Sequence, residues 1–246
     1  DFLPSMLKSV LETHGIDGCI TVQAEHNNLE TRLLLNYAKS YDFIKGVVGW
    51  IDLQSDAVEE QLDLLSKEPY LKGFRNIVQG ESDPEFLQRA SFQHGISKLN
   101  AYGFTYDILI FPHQLPSAIK FVAQFPDQPF VLDHLAKPNI KEQQFDDWAH
   151  DIKRIAGYDN VYCKLSGMIT EADFNDWTPD QIIPYMELIL NEFGTDRVLY
   201  GSDWPVCLVA GNYDQVKSLV CDFIAALSKT EQAAIMGLNA MRFYNI

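Results

Sequence analysis

The fold of this chain is decided by one stretch, Arg197-Val198-Leu199-Tyr200-Gly201-Ser202-Asp203-Trp204-Pro205. The apolar run from Val198 to Tyr200 predicts a short buried strand, and Gly201 allows a tight turn directly after it. Pro205 lacks an amide hydrogen and therefore prevents further pairing in a sheet. Asp203 thus follows the carboxyl end of a strand, where parallel barrels keep their catalytic residues. A turn or helix N-cap role is the competing interpretation of Asp203.

Outward from this stretch, short apolar runs alternate with longer amphipathic segments along the whole chain. This alternation predicts a parallel sheet with helical crossovers. The predicted strands are Ile16–Gln23, Ile44–Ile51, Leu71–Val78, Thr105–Phe111, Pro129–Leu132, Asn160–Leu165 and Val198–Ser202. The predicted helices are a first one that ends at Gly15, followed by 29–41, 57–66, 85–99, 116–125, 145–155, 181–193, 213–227 and 231–243.

The predicted architecture is an α/β fold, a (β/α)8 barrel of the TIM type that forms one domain from residue 1 to 246. Such a barrel has eight strands, whereas seven are predicted here and the chain opens on a helix. We therefore expect the first strand upstream of Asp1, with a slot between the strands at 16–23 and 198–202. A doubly wound open sheet is the competing architecture, but it usually carries a Gly-rich phosphate-binding turn, which this sequence lacks.

Composition narrows the classes of function. The chain has 246 residues, 47% of them hydrophobic, which is enough for a large core. A formal net charge of −15 argues against a nucleic-acid partner, because such proteins carry a basic stripe. No apolar run approaches membrane-spanning length, so no membrane partner is expected. The four cysteines show no CxxC spacing, which favours a reducing, cytoplasmic setting.

Polar side chains cluster where the predicted strands end. In a parallel barrel these positions converge on one face and can surround one substrate. Buried cations are costly, so Arg75 and Lys164 each need an anionic or carbonyl-bearing partner. His113 has a competing interpretation as a surface turn residue. His134 has one as a buried histidine that bonds to the backbone. The strand-end residues are Gln23, Asp52, Arg75, His113, His134, Lys164 and Asp203.

The motifs, taken in order, resemble the sugar-lactonase branch of the amidohydrolase superfamily of metal-dependent hydrolases. That branch includes L-fuconolactonase and L-rhamnonolactonase. The segments that carry the resemblance are Gly73-Phe74-Arg75-Asn76-Ile77-Val78-Gln79-Gly80-Glu81, Asp107-Ile108-Leu109-Ile110, Pro112-His113-Gln114-Leu115-Pro116, Val131-Leu132-Asp133-His134-Leu135-Ala136-Lys137-Pro138, Lys164-Leu165-Ser166-Gly167, Gly201-Ser202-Asp203-Trp204-Pro205 and the closing Asn239-Ala240-x-Arg242-Phe243-Tyr244.

The resemblance implies a distorted barrel that hydrolyses an ester or lactone, with a small-molecule sugar lactone as substrate. It implies that Asp203 activates the attacking water and that His134 and His113 assist catalysis. It implies that Arg75 and Lys164 contact the substrate. Gln23, at a strand end, and Trp204, directly after Asp203, are further candidate substrate contacts. Whether the enzyme forms a homo-oligomer stays open.

The sequence also leaves open whether the protein uses a divalent metal such as zinc. His113, His134 and Asp203 are residue types that ligate zinc, yet some relatives in this branch work without a metal. The His-x-His pair that the superfamily carries at the end of strand one has no counterpart here. Asn76 stands where many relatives are expected to have histidine after the arginine.

Two other functions are weighed against lactone hydrolysis. One is a metal-dependent decarboxylase of the same superfamily, which needs tightly bound zinc. The other is a sugar-acid-binding barrel that has lost catalysis. Either alternative leaves the predicted fold unchanged, so fold alone does not separate them.

Overall fold

Seven parallel strands lie side by side in chain order in one sheet. The computed structural model describes residues 2–246, so that of the predicted domain only Asp1 lies outside. Each strand pairs with its neighbours in the chain, as in Arg75 of β3 opposite Asp107 of β4. The predicted parallel α/β arrangement is confirmed. The strands are β1 Cys19–Val22, β2 Ile44–Gly49, β3 Leu71–Ile77, β4 Thr105–Leu109, β5 Phe130–Leu132, β6 Val161–Leu165 and β7 Val198–Tyr200.

Helices connect the strands and follow the last one. They are α1 Pro4–Thr13, α2 Asn28–Ser40, α3 Val58–Leu65, α4 Ala90–Leu99, α5 Leu115–Val122, α6 Asp146–Ala156, α7 Pro179–Phe193, α8 Tyr213–Phe223, α9 Lys229–Ala233 and α10 Asn239–Phe243. The helix predicted from 85 starts later, at Ala90, because Arg89 is extended (φ −63°, ψ 127°). A π-helical turn, Ala234–Leu238, joins α9 to α10. No helix within residues 2–246 is long and apolar enough to cross a membrane.

The sheet has an outer and an inner side, because successive side chains on a strand point in opposite directions. Outer residues such as Tyr106 and Phe130 join the helices in the main core. On the inner side, a second apolar cluster includes residues of β2, β5 and β7 but none of β3 or β4. In a flat sheet β2 and β7 would be about 24 Å apart at the usual strand spacing. The sheet is therefore curled, as a barrel requires.

The two edges of the sheet are β1 and β7, and no pairing joins them within residues 2–246. The helices beside these edges nevertheless meet. The ring of His14 lies 4.8 Å from that of Tyr213 on α8, and its Nε2 lies 3.5 Å from Asp214. The helical layer thus bridges the interval between the edges. Direct pairing of β1 with β7 would have contradicted the additional strand that the sequence predicts between them. That strand stays a prediction.

Candidate active site

Four charged side chains meet inside the curled sheet. The ammonium of Lys164 lies 2.5 Å from Oδ2 of Asp107 and 2.7 Å from Oδ1 of Asp133. A guanidinium nitrogen of Arg75 lies 2.8 Å from the other oxygen of Asp133. The carboxylates are 0% and 1% exposed, and the cations 12% and 11%. These four residues, hereafter the charge quartet, sum to zero, and mutual pairing is what makes buried charges tolerable.

The quartet fixes the protonation of its members. Burial raises the pKa of Asp107 to about 6, although Lys164 opposes this rise. Burial alone would also raise the pKa of Asp133, but Lys164 and Arg75 together hold it below its usual range. Burial disfavours the Lys164 cation, yet the two carboxylates keep its pKa well above the ordinary value. At neutral pH the two cations therefore each face an anion.

Gln23 ties the quartet to the edge strand. Its side chain is fully buried just after β1 and donates a hydrogen bond of 2.8 Å to the carbonyl of Arg75. The guanidinium of Arg75 donates in return to the carbonyl of Gln23. The structure thus brings together three predicted substrate contacts, Gln23, Arg75 and Lys164. The partners of the two cations are protein groups, namely the carboxylates of Asp107 and Asp133 and, for Arg75, also the carbonyl of Gln23. These are the anionic or carbonyl-bearing partners that the burial of both cations predicted.

Next to the quartet lies a histidine–carboxylate pair. Nε2 of His134, which directly follows Asp133, is 3.7 Å from Oδ1 of Asp203, and both side chains are partly accessible at 13% and 14%. Nδ1 of His134 is 2.8 Å from Oγ of Ser166 at the end of β6. Burial lowers the pKa of His134 even though Asp203 works against it. The imidazole is therefore neutral at pH 7, which suits proton transfer.

The backbone that presents His134 is left-handed over four consecutive residues, His134 to Lys137, with φ between 51° and 57°. This conformation costs a non-glycine residue about 1–2 kcal/mol, so neighbouring contacts must hold it. The indole of Trp148 donates to the carbonyl of Leu135 at 2.7 Å, and Lys137 forms an ion pair with Glu171. Backbone strain of this kind is typical of functional sites.

Positive φ angles at Gly167 and Asp203 also shape the surroundings of the histidine–carboxylate pair. Gly167 (φ +66°) passes so close that a Cβ there would lie 2.8 Å from Cγ and Nδ1 of His134. Asp203 has φ +54°, and Gly201 before it leaves room for Ser166, whose Cβ would be 2.9 Å from an added Cβ. The glycines of the two predicted turns therefore allow the imidazole, the hydroxyl and the carboxylate to approach each other.

The remaining candidates lie at the same carboxyl edge of the sheet. His113 is exposed on a 3-10 turn after β4, and its ring stacks on that of Phe111 with centroids 6.2 Å apart. Lys137 approaches the same phenyl ring at 5.8 Å. Trp204 is half-buried and meets Phe2 edge to face at 5.4 Å. The structure joins His134 to Asp203 directly and places His113 and Trp204 along the same rim.

Sequence reasoning missed Asp107 and Ser166, and it left Asp133 without a role. One signal was available for Asp107, because a carboxylate inside the apolar run Thr105–Leu109 is as costly as Lys164 inside its own strand. Nothing local marked Ser166, whose contact depends on the path of a neighbouring loop.

Comparison with known proteins identifies the family. The sequence model described as amidohydrolase matches residues 1–246. The chain belongs to the amidohydrolase family. This amidohydrolase is 36% identical to an L-fucono-1,5-lactonase of Burkholderia multivorans, with 99% of this chain and 86% of that protein covered. It is 32% identical to an L-fucono-1,5-lactonase of Burkholderia ambifaria, with 100% and 86% covered.

A solved structure supports the barrel. A crystal structure of an amidohydrolase from Burkholderia multivorans with bound zinc superposes on this chain with a TM-score of 0.95 at 36% identity. All of this chain and 89% of that one are covered. The predicted family is thereby confirmed for this amidohydrolase, and its curled sheet of seven parallel strands is consistent with the predicted TIM-like barrel.

The residues that the structure describes do not fit a catalytic zinc ion. A catalytic zinc usually has three protein ligands. Within residues 2–246, no group of three or more histidine, cysteine, aspartate and glutamate side chains is arranged to hold a metal ion. Of the predicted ligands in this amidohydrolase, only His134 and Asp203 approach each other. These two are fewer than the three protein ligands that a catalytic zinc usually has.

Proposed function

We propose that this amidohydrolase opens a sugar lactone to the corresponding sugar acid, with Asp203 as general base. The single observation that carries the proposal is the placement of His134 Nε2 at 3.7 Å from Oδ1 of Asp203 at the carboxyl end of the sheet. The names of the two lactonase relatives support the substrate class, an aldonolactone such as L-fuconolactone. The resemblance of the motifs extends this class to L-rhamnonolactone.

The reaction needs few groups. Asp203 accepts a proton from water as the water oxygen bonds to the lactone carbonyl carbon. The ring C–O bond then breaks, and the departing ring oxygen takes the proton back from Asp203. His134 keeps the carboxylate in place from one side. Lys164 has three ammonium hydrogens and two carboxylate partners, so we assign its remaining hydrogen to the oxyanion that develops on the carbonyl.

Other roles are part of the same proposal. We assign His113 and Trp204 to the rim that orients the sugar, and Gln23 to the support of Arg75. All four cysteines are free, which supports the expected cytoplasmic setting.

The test is a panel of aldonolactones assayed by acid release with a pH indicator. Wild-type protein should turn over at least one of them. Asp203→Asn should lower kcat by at least about a hundredfold, the low end for loss of a general base. Asp222→Asn, an exposed carboxylate on α8, is the matched control and should keep full activity. Near-normal turnover by the Asp203 variant would remove Asp203 from the mechanism.

The same experiment separates the rival functions. A decarboxylase would release carbon dioxide from an aromatic or keto acid and would leave the lactones untouched. A non-catalytic barrel would bind a sugar acid equally well before and after Asp203→Asn and would never show turnover. The lactonase relatives favour neither rival.

A further inference from the structure

The C-terminal segment of the chain enters the inner side of the curled sheet. Asn239 is fully buried and donates hydrogen bonds of 2.7 and 2.8 Å to the carbonyls of Thr195 and Val198. Tyr244 follows one turn later and is 3% exposed, in the apolar cluster of the inner side. One side of the segment is therefore buried against the barrel, anchored at Asn239 and at Tyr244.

The hydroxyl of Tyr244 reaches the charge quartet. It donates a hydrogen bond of 2.8 Å to Oδ2 of Asp107, the oxygen that also accepts from Lys164. Burial, followed by Asp107, keeps the pKa of Tyr244 well above its usual value. The phenol thus stays protonated and remains a donor. Of the two donors to this oxygen, Tyr244 is the uncharged one.

The contacts run from this hydroxyl towards the histidine–carboxylate pair. Asp107 shares Lys164 with Asp133, and Asp133 directly precedes His134 in the chain. If Asp107 became protonated, Lys164 would face one anion instead of two. Its ammonium would then shift towards Asp133, and the balance between Asp133 and Arg75 would change.

We propose that Tyr244 is a positioning residue, which holds Asp107 as an anion and so keeps Lys164 and Asp133 in the places that the catalytic pair requires. This inference rests on the proposed lactone hydrolysis. It differs from a space-filling role in one respect, because it depends on the hydroxyl and not on the ring.

Tyr244→Phe removes only that hydroxyl. The ring stays available for Phe243, at 4.8 Å, and for Lys164, whose ammonium lies 5.7 Å from its centroid. Tyr162→Phe is the matched control: Tyr162 packs against Phe243 at 4.8 Å in the same cluster, but its hydroxyl does not bond to the quartet. A merely packed tyrosine should respond alike at both positions.

The expected signature is a change in pH dependence. Asp107 faces Lys164 on β6, Asp133 after β5, Arg75 on β3 and Tyr244, and the loss of one donor raises its pKa. The acid limb of the kcat profile should therefore move up by about one pH unit in Tyr244→Phe, since a hydrogen bond to a charged group is worth about that much. At pH 6 kcat should fall about fivefold, while kcat at pH 8.5 and KM should stay within about twofold of wild type.

A second measurement does not depend on catalysis. Because the folded-state pKa of Asp107 lies above its unfolded value, this group's contribution to stability is lost as pH rises through the folded pKa. In Tyr244→Phe that loss extends to higher pH. The thermal midpoint relative to wild type should therefore fall by a further 2–4 °C or so between pH 5 and pH 8. In Tyr162→Phe the difference from wild type should not change with pH.

Each outcome has a meaning. An unshifted acid limb in Tyr244→Phe, or a loss of kcat that is equal at all pH values, would overturn the proposal. In the background of Asp107→Asn, Tyr244→Phe should add no pH-dependent change, and an undiminished one would overturn it as well. If wild-type protein opened no lactone, the proposed function would fail, and the thermal series would still decide the role of Tyr244 in holding Asp107.

Discussion

Replacing Gly167 by alanine should displace the imidazole of His134. The residue has φ +66°, so any side chain there costs about 1–2 kcal/mol of backbone strain. The added Cβ would also lie 2.8 Å from Cγ and Nδ1 of the imidazole. Ordinary carbon contacts begin near 3.4–3.5 Å, so the ring has to move by about 0.6 Å or more. That movement lengthens the 2.8 Å contact with Ser166 and disturbs the approach to Asp203.

A misplacement of this size lowers turnover by about ten- to a hundredfold. The control is Gly103→Ala, where φ is +73° and nothing lies within 4 Å of an added Cβ. It carries the backbone strain without the contact. Urea unfolding should show both variants destabilised, Gly167→Ala by about 1 kcal/mol more than the control, and lactone turnover should fall in Gly167→Ala alone. Equal stability losses combined with wild-type turnover in both variants would refute the reasoning.

Three further outcomes are expected. Lys164→Met should lower the free energy of unfolding by about 3–5 kcal/mol, because it leaves two buried carboxylates without their shared cation. This loss, measured in urea, should be smaller at pH 5 than at pH 8, since Asp107, with a pKa of about 6, is protonated at the lower pH. Arg197→Ala should lower the free energy of unfolding by about 2–4 kcal/mol, because it leaves buried carbonyls unpaired, among them that of Val161 at 2.9 Å. Since this role is structural, the folded variant should keep wild-type turnover when it is assayed in the cold. Asn27→Ala should lower the thermal midpoint by about 2–4 °C, because Asn27 caps α2 through a 2.8 Å bond from the amide of Glu30, and an unchanged midpoint would contradict the cap.

The sequence predicted the order of the elements well because each strand is bounded by local signals. Val198–Tyr200 is apolar and is followed by Gly201, and the strand ends directly before this glycine, within the predicted range 198–202. The helix predicted from 85 was less accurate, since its helical periodicity does not reveal that Arg89 is extended and bonds to Asp83 at 3.1 Å. Periodicity reports which face is apolar, not where a local side-chain contact interrupts the backbone.

The site could be predicted only in part. Burial of Arg75 and Lys164 within apolar strands predicted anionic or carbonyl-bearing partners, and both cations have such partners. The partners themselves lie 58 and 57 residues away in the chain, so their identity depends on how the sheet curls. The left-handed backbone from His134 to Lys137 contains no glycine or asparagine that would have signalled it. Tertiary contacts impose that conformation, and a local pattern cannot show them.

The neutrality of the charge quartet has a consequence for product release. Since the four buried charges cancel, the whole formal net charge of −15 comes from the rest of the chain. A lactone is uncharged and does not feel that field, whereas the sugar acid formed from it is an anion and is repelled. The charge of the protein therefore repels the sugar-acid product but not the lactone substrate. Inhibition by the sugar acid should strengthen as salt is raised, because salt screens the repulsion, while KM for the lactone should hardly change.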